Sequence, residues 1–220
     1  MSRNGPLFRN QTVEYMRDSA VETEIAEHKT ANPDVGRIFD AVPSVLGLSS
    51  LDAANGTGAF GVTVRAELAE AMVPQEAPPG TQPIEAYTSS LVLLGYQSGD
   101  SHVAAGVARM VAGPELGDPN RRISRPILLE TSDYRTVVER TVTDGALVVV
   151  DGWWDALRDC LVGRCAGECT NAALECPPAS WPVYLACLAG RCGGCLAGCV
   201  GCATCDCGWL CRVAFGCCHQ

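Results

Sequence analysis

The first 159 residues contain no cysteine, and all fourteen cysteines of the 220-residue chain lie between Cys160 and Cys218. The larger part of the chain therefore has no thiolate with which to form a disulfide or hold a soft metal. The final segment is about one-quarter cysteine, well above the level of about a tenth that indicates a disulfide scaffold. The count is even, as complete pairing requires. Two parts with different chemistry are thus joined in one chain.

Basic residues are also scarce: Lys29 is the only lysine, and the net charge is −9. The segment from Gly152 onward has four arginines and five acidic residues, so the remaining −8 belongs to residues 1–151. An acidic domain is poorly matched to phosphate backbones. We therefore expect no nucleic acid partner.

Catalytic motifs are missing as well. The three histidines, His28, His102 and His219, are far apart in the sequence, and there is no G-x-S-x-G motif. The cysteine-free part has no thiol nucleophile. The sequence predicts no catalytic residue and no enzymatic activity.

The segment Met1–Thr12 has no apolar run of the kind that a conventional secretory signal contains. A disulfide framework, however, needs an oxidising compartment. Three explanations remain open: a dedicated exporter that reads the N-terminal region, a mis-assigned start, or thiols that bind metal in the cytosol.

Residues 1–151 are predicted to form an α+β domain, with helix first and a mostly antiparallel sheet after it. Helical periodicity predicts an amphipathic helix over Val13–Lys29 and a second helix, interrupted at Pro43, over Val35–Leu51. An Asn55-Gly56 turn is expected to precede the first strand, and an Asp144-Gly145 turn is expected to precede the last. Six segments have strand character, the last predicted as a short buried strand: Phe60–Leu68, Tyr87–Tyr96, Val103–Ala112, Arg122–Glu130, Tyr134–Val142 and Ala146–Val150.

Residues 152–220 are predicted to form a small, disulfide-rich α-helical module. β-branched residues become rare after Gly152, and Ala, Gly, Leu and Cys dominate. We expect helices over Asp155–Thr170 and Trp181–Val200, and a third over Cys202–Phe215. The stretch Val183–Ala203 approaches the length of a membrane span, but its glycines and cysteines favour a helix held by disulfides.

The cysteines follow helical spacing. Several are three or four residues apart, which places them on one helix face, and glycine and alanine fill the gaps and would permit close approach. A module of this size buries little core, so disulfides would supply the constraint. The pairing is open, since fourteen cysteines allow on the order of 10⁵ connectivities. The disulfide candidates are Cys160, Cys165, Cys169, Cys176, Cys187, Cys192, Cys195, Cys199, Cys202, Cys205, Cys207, Cys211, Cys217 and Cys218.

Metal binding is the alternative use of these thiols. The run Cys199-x-x-Cys202-x-x-Cys205 matches the start of an iron–sulfur motif, but no cysteine follows at the spacing of a fourth ligand. Six residues separate Cys192-x-x-Cys195 from Cys202-x-x-Cys205, against about fifteen to twenty in typical zinc sites. On this alternative, Cys192, Cys195, Cys199, Cys202 and Cys205 would hold zinc or an iron–sulfur cluster; otherwise no cofactor is expected.

The cysteine-rich segment resembles the halocin-type bacteriocins of haloarchaea and related cysteine-rich bacteriocin precursors. The resemblance rests on the start at Cys160–Cys169, the core Leu188–Cys199 and the end Cys207-x-Trp209-x-Cys211, and it covers about the last 65 residues. It implies a precursor from which a mature antimicrobial peptide is released, with an N-terminal part that can act in self-protection.

The sequence therefore favours the precursor of a secreted, disulfide-stapled antimicrobial peptide. Residues 1–151 would be the propeptide, immunity or exporter-recognition part, and residues 152–220 the peptide itself, freed by proteolysis near Asp151-Gly152. The expected partners are a competitor's membrane or envelope, a dedicated exporter and a processing protease. The alternative is a cytoplasmic protein that binds metal or an iron–sulfur cluster through the C-terminal cysteines.

Overall fold

The computed structural model describes residues 8–16, 18–72, 83–112, 122–134, 136–150, 152–165, 169, 175–176, 179–192 and 194–204. The strands are β1 (Phe8–Met16), β2 (Asn55–Met72), β3 (Ile84–Ser98), β4 (Ser101–Ala112), β5 (Arg122–Thr131), β6 (Val138–Thr143) and β7 (Ala146–Val150). The helices are α1 (Asp18–Ala31), α2 (Pro33–Val45), α3 (Trp153–Arg164), α4 (Trp181–Cys192) and α5 (Gly194–Thr204). A short 3-10 turn covers Leu51–Ala53.

The seven strands form one antiparallel sheet in which every strand pairs with the next along the chain. Tight turns make this meander possible. Gly99 has a positive φ of 56° in the β3–β4 turn. In the β6–β7 turn, Asp144 and Gly145 have φ values of 52° and 79°, the left-handed pair that a two-residue hairpin needs.

The sheet is the middle layer of three. On one face, α1 and α2 pack against side chains that include Val92, Val107 and Leu128. On the opposite face, α3, α4 and α5 pack against Leu91 and Leu129 among others. Both faces of the central strands are therefore buried, which is unusual for an antiparallel sheet and explains why these strands are apolar at successive positions.

The predicted fold class is confirmed: helices, an antiparallel sheet, and then a disulfide-rich helical region. One element was missed, because the sequence predicted a helix from Val13, whereas β1 runs to Met16 and α1 begins at Asp18. Val13 and Met16 fit a helical repeat, but Val13 pairs with Val64 of β2. Pairing between distant strands has overridden the local periodicity.

The predicted turn at Asn55-Gly56 is a second difference. Both residues lie in β2 and pair with β3, and the register shifts between Gly56 and Gly58. Gly58 has a φ of 110°, so the glycines accommodate an irregularity in the strand and not a reversal of the chain.

Strand β7 coincides with its predicted bounds but is not buried. It pairs only with β6 and ends the sheet, and Leu147 and Val149 are exposed. Other predicted elements also differ in extent. For example, the helix predicted over Asp155–Thr170 is observed over Trp153–Arg164. The predicted strand over Tyr134–Val142 begins at Val138, and the predicted helix Trp181–Val200 is divided into α4 and α5. The third predicted helix lies within α5 only as far as Thr204, and its remainder lies outside the described residues.

Candidate functional site

Three disulfides connect two antiparallel segments of the C-terminal region like the rungs of a ladder. They join Cys160 to Cys199, Cys165 to Cys195, and Cys169 to Cys192. Along the first segment the bonded cysteines run forward from Cys160, and their partners run backward from Cys199. We call these three bonds the disulfide ladder. A fourth bond, Cys176–Cys187, continues the same antiparallel order and closes a shorter loop.

The helical spacing seen in the sequence accounts for part of the ladder. Cys195 and Cys199 are four residues apart on α5, and Cys160 and Cys165 are five apart on α3 and at its C-terminal end. The Cα atoms of the four bonded pairs are 5.2–6.1 Å apart, within the usual range for disulfides. These eight cysteines are disulfide-bonded in the structure.

Cys202 is also disulfide-bonded. The other five candidates lie outside the described residues: Cys205, Cys207, Cys211, Cys217 and Cys218.

The sequence predicted that glycines of the module permit close approach of its helices, but not all of them do so. A Cβ added at Gly190 or Gly198 would meet no atom within 4 Å. The close contact involves instead a glycine of the sheet. A Cβ at Gly95 of β3 would lie 2.6 Å from Cδ of Pro182, the second residue of α4. The absence of a side chain at Gly95 lets α4 rest directly on the sheet.

The inner side of the helical module lies on the sheet face opposite α1 and α2. Trp153, Trp181 and Leu185 are buried in one cluster with the side chains of that face. The ladder belongs to the same cluster, since Cys169 and Cys199 are each 1% exposed. We call this sheet surface the module-binding face. Its buried members are Phe60, Val62, Val64, Leu91, Leu93, Ala104, Ala108, Ile127 and Leu129.

A cluster of aromatic rings fixes the start of α4. Trp181 packs edge-on against Trp154 of α3, with ring centroids 5.0 Å apart, and lies 5.2 Å from Tyr134. Tyr134 in turn contacts Tyr184 and His102. Burial raises the pKa of the Tyr134 hydroxyl to about 12, and burial lowers the pKa of His102. These rings therefore remain neutral at ordinary pH and act as packing groups.

The loop that presents Tyr134 is held by Thr131. The Thr131 hydroxyl accepts hydrogen bonds from the backbone N–H groups of Asp133 and Tyr134 and donates one to the carbonyl of Thr136. Tyr134 has a φ of 59°, a conformation that non-glycine residues adopt infrequently. The hydroxyl contacts fix this conformation and direct the ring towards α4.

Glu139 connects the sheet to the beginning of α3. Its carboxylate accepts a hydrogen bond of 2.8 Å from the backbone N–H of Trp154, and its other oxygen lies 3.5 Å from the Arg125 guanidinium. Burial raises the pKa of the Glu139 carboxyl above its ordinary value, against the opposing effects of the Trp154 N–H and of Arg125. An acidic group at a helix N-terminus satisfies an otherwise unpaired N–H. Glu139 therefore fixes the start of α3 to the sheet, next to the domain boundary predicted near Gly152.

Further hydrogen bonds join α4 to the sheet and α3 to α5. The Tyr15 hydroxyl donates to the Ala189 carbonyl across 3.1 Å, which links β1 to α4. The Trp153 Nε1–H donates to Thr204, whose hydroxyl donates to the carbonyl of Val200. The hydrogen bonds of Thr204 therefore join the first residue of α3 to the last turn of α5.

Three sulfurs of the ladder form a compact group. The Sγ atoms of Cys165, Cys195 and Cys199 all lie within 4.8 Å of one another, and those of Cys165 and Cys199, which are not bonded to each other, are 3.7 Å apart. Of the five cysteines considered as metal ligands from the sequence, Cys195 and Cys199 belong to this group.

The remaining members of that set are Cys192, Cys202 and Cys205. Cys192 is bonded to Cys169, Cys202 is disulfide-bonded, and Cys205 lies outside the described residues.

The features that sequence reasoning missed are the module-binding face, Glu139 and the aromatic cluster. One available indication was the run of apolar residues at successive positions of β3, β4 and β5, which predicts that both faces of those strands are covered. Among the described residues, no helix is both long and apolar enough to cross a membrane.

Comparison of the chain with family models, with curated proteins and with solved structures finds no match. The disulfides nevertheless indicate an oxidising environment for the folded protein.

Proposed function

We propose that the chain is the precursor of a secreted antimicrobial peptide of the bacteriocin type, in which the N-terminal domain covers the active face of a disulfide-stapled module until proteolysis releases it. The observation that carries this proposal is the packing of the module's apolar side on the module-binding face. A competitor's membrane or envelope would be the target.

Release would change the module's surface without changing its shape. Trp153, Trp181, Leu185, Leu188 and Leu196 are at most 1% exposed in the intact chain, and the sheet supplies part of their cover. The ladder prevents the helices from rearranging to bury these side chains again. A rigid apolar face on a nearly neutral peptide would favour partitioning into a membrane interface.

The same geometry offers a role in self-protection. Release of the module would expose Phe60, Leu91, Leu93 and Leu129 on the sheet, and an exposed apolar surface of this kind favours association. The N-terminal domain would therefore rebind a free module and shield the producing cell. This role belongs to the immunity function that the resemblance implies.

The proposed cleavage point adjoins buried structure. Strand β7 ends at Val150 and α3 begins at Trp153, which is fully buried, while Asp151 lies outside the described residues. A protease that cuts near Asp151-Gly152 would act beside the contact between Glu139 and Trp154. A dedicated exporter would precede this step, since the disulfides require an oxidising compartment.

The experiment compares intact and cleaved protein. A recognition sequence for a specific protease is placed at the 151–152 junction of the full chain, and killing of sensitive cells is measured before and after cleavage. We expect killing only after cleavage, and suppression of killing when excess N-terminal domain is added. A culture that contains only intact protein, together with a cleaved product that kills no cells, would contradict the proposal.

A second candidate function is metal or iron–sulfur binding in the cytosol through the C-terminal cysteines. The observation that favours it is the proximity of the Cys165, Cys195 and Cys199 sulfurs. Titration of free thiols and metal analysis of protein isolated from its native source separate the two. Metal-free protein without free thiols supports the precursor; stoichiometric metal with reduced thiols supports the alternative.

A further inference from the structure

Two neighbouring rungs of the disulfide ladder supply four sulfurs. Those of Cys165, Cys195 and Cys199 lie within 4.8 Å of one another, and the fourth, of Cys160, is bonded to Cys199. The Cys160–Cys199 and Cys165–Cys195 bonds lie side by side, and the sulfurs of Cys165 and Cys199, which are not bonded to each other, are 3.7 Å apart. No carboxylate or imidazole joins this group among the described residues. The ligand set is thus purely sulfur, which selects soft and borderline metals such as zinc.

The distance between the sulfurs of Cys165 and Cys199 matches that of a tetrahedral zinc site. With Zn–S bonds of about 2.3 Å, the sulfurs of a tetrahedral site are about 3.8 Å apart. The contact between Cys165 and Cys199 already has this length. Opening the two disulfides would let each bonded pair of sulfurs separate to this spacing, and the Cys160 sulfur, which lies outside the 4.8 Å group, would also move towards those of Cys165 and Cys195.

The spacing along the chain is also that of a structural zinc site. Four residues separate Cys160 from Cys165, and three separate Cys195 from Cys199, within the usual range of two to four. Cys195 lies in the first turn of α5, where the unpaired backbone N–H groups favour a thiolate. The buried position of Cys199 limits access of water to the group.

The sheet supplies the preorganisation that the site needs once the disulfides are open. Helices α3 and α5 pack on each other and on the module-binding face through side chains such as Leu157 and Val200. The Trp153–Thr204 hydrogen bond also joins these two helices without a sulfur. Their relative position therefore does not depend on the ladder alone.

We propose that the reduced chain binds one zinc ion through Cys160, Cys165, Cys195 and Cys199, so that the same four residues form a zinc site under reducing conditions and two disulfides under oxidising conditions. Two molecules of a dithiol reductant each give two electrons and two protons to one disulfide and leave as their own disulfides. Zinc then displaces the four thiol protons. The proposal concerns the reduced protein and does not depend on the proposed antimicrobial activity.

The first experiment measures metal binding by the full-length protein. The chain is reduced by a phosphine without oxygen, loaded with zinc or cobalt(II), and freed of excess metal. We expect one zinc ion in this site and the absorption of tetrahedral cobalt bound by four thiolates. The double variant Cys165→Ser/Cys199→Ser, which removes one ligand from each helical segment, should lose that ion and that spectrum.

The matched control is Cys176→Ser/Cys187→Ser, which removes the bonded pair outside the group. It should retain both the zinc ion and the cobalt spectrum. Reduced wild-type protein that binds no zinc would overturn the proposal. Zinc binding that survives in Cys165→Ser/Cys199→Ser would also overturn it, because the metal would then be held by other cysteines.

A second measurement needs no substitution. Alkylation of the reduced wild-type chain is followed at each cysteine by mass spectrometry, with and without zinc. Zinc should slow alkylation of Cys160, Cys165, Cys195 and Cys199 by at least about tenfold, since a metal-bound thiolate is a poorer nucleophile. The rates at Cys176 and Cys187 should be unchanged. Equal protection of all six, or of none, would contradict the assignment.

Discussion

Leu128 and Leu129 of β5 provide a direct test of the three-layer arrangement. They are adjacent, both are fully buried, and they point to opposite faces of the sheet. Leu128 packs with α1 and α2, whereas Leu129 packs with the helical module. The substitutions Leu128→Ala and Leu129→Ala therefore remove the same atoms from two different interfaces.

Each substitution should reduce the free energy of unfolding of the intact chain by about 2–5 kcal/mol, the usual cost of truncating a buried leucine to alanine. Their effects should diverge after the chain is cut at the 151–152 junction. A loss of about 2 kcal/mol at the module interface corresponds to a Kd about 30-fold higher. Only Leu129→Ala should show this increase.

The assay has two parts. Chemical denaturation of the uncut variants gives the change in stability, and dissociation of the cut module from the N-terminal domain gives the change in Kd. Equal effects of the two substitutions on module dissociation, or no effect of Leu129→Ala, would refute the assignment of Leu129 to a face that binds the module.

Three further predictions concern the helical module and its contacts with the sheet. Gly95→Ala should destabilise the chain by about 1–3 kcal/mol through contacts with Pro182 and Thr57. Gly190→Ala, in open space on α4, should be neutral or stabilising by up to about 1 kcal/mol in thermal unfolding. Because the rungs of the ladder are nested, removing Cys165–Cys195 and Cys169–Cys192 together should lower the melting temperature by more than the sum of the two single removals; simple additivity would contradict this. The raised pKa of Glu139 means that the folded chain holds its proton more tightly than the unfolded chain, so stability should fall as the pH rises from the ordinary value of 4.5 through the folded-state pKa. Glu139→Gln should remove that dependence in denaturation curves, and Glu130→Gln, which breaks the ion pair with Arg140 on the same sheet, should retain it.

The sequence was sufficient to predict features that depend on local pattern. The Asp144-Gly145 dipeptide predicts a tight hairpin, and the structure has both residues at positive φ. The spacing of four between Cys195 and Cys199 predicts a shared helix face, and both lie on α5 and bond to the opposing segment. In each case the signal and its consequence lie within a few residues of each other.

Features that depend on distant partners were not predicted. Val13 fits a helical repeat, but its pairing with Val64, fifty-one positions away, makes it part of a strand. Ala146–Val150 has the apolar composition of a buried strand, but its place at the end of the sheet leaves Val149 exposed. The docking of the module on the sheet follows from the two buried faces of β3–β5, which can be recognised only when these strands are considered together.

The most direct test of the account is to record dye release from lipid vesicles while a specific protease cuts the full-length chain at the 151–152 junction. The account predicts no release from intact protein, release that increases with the amount of cut chain, and suppression of release by excess N-terminal domain. Cleavage that goes to completion without release from vesicles and without killing of sensitive cells would contradict it.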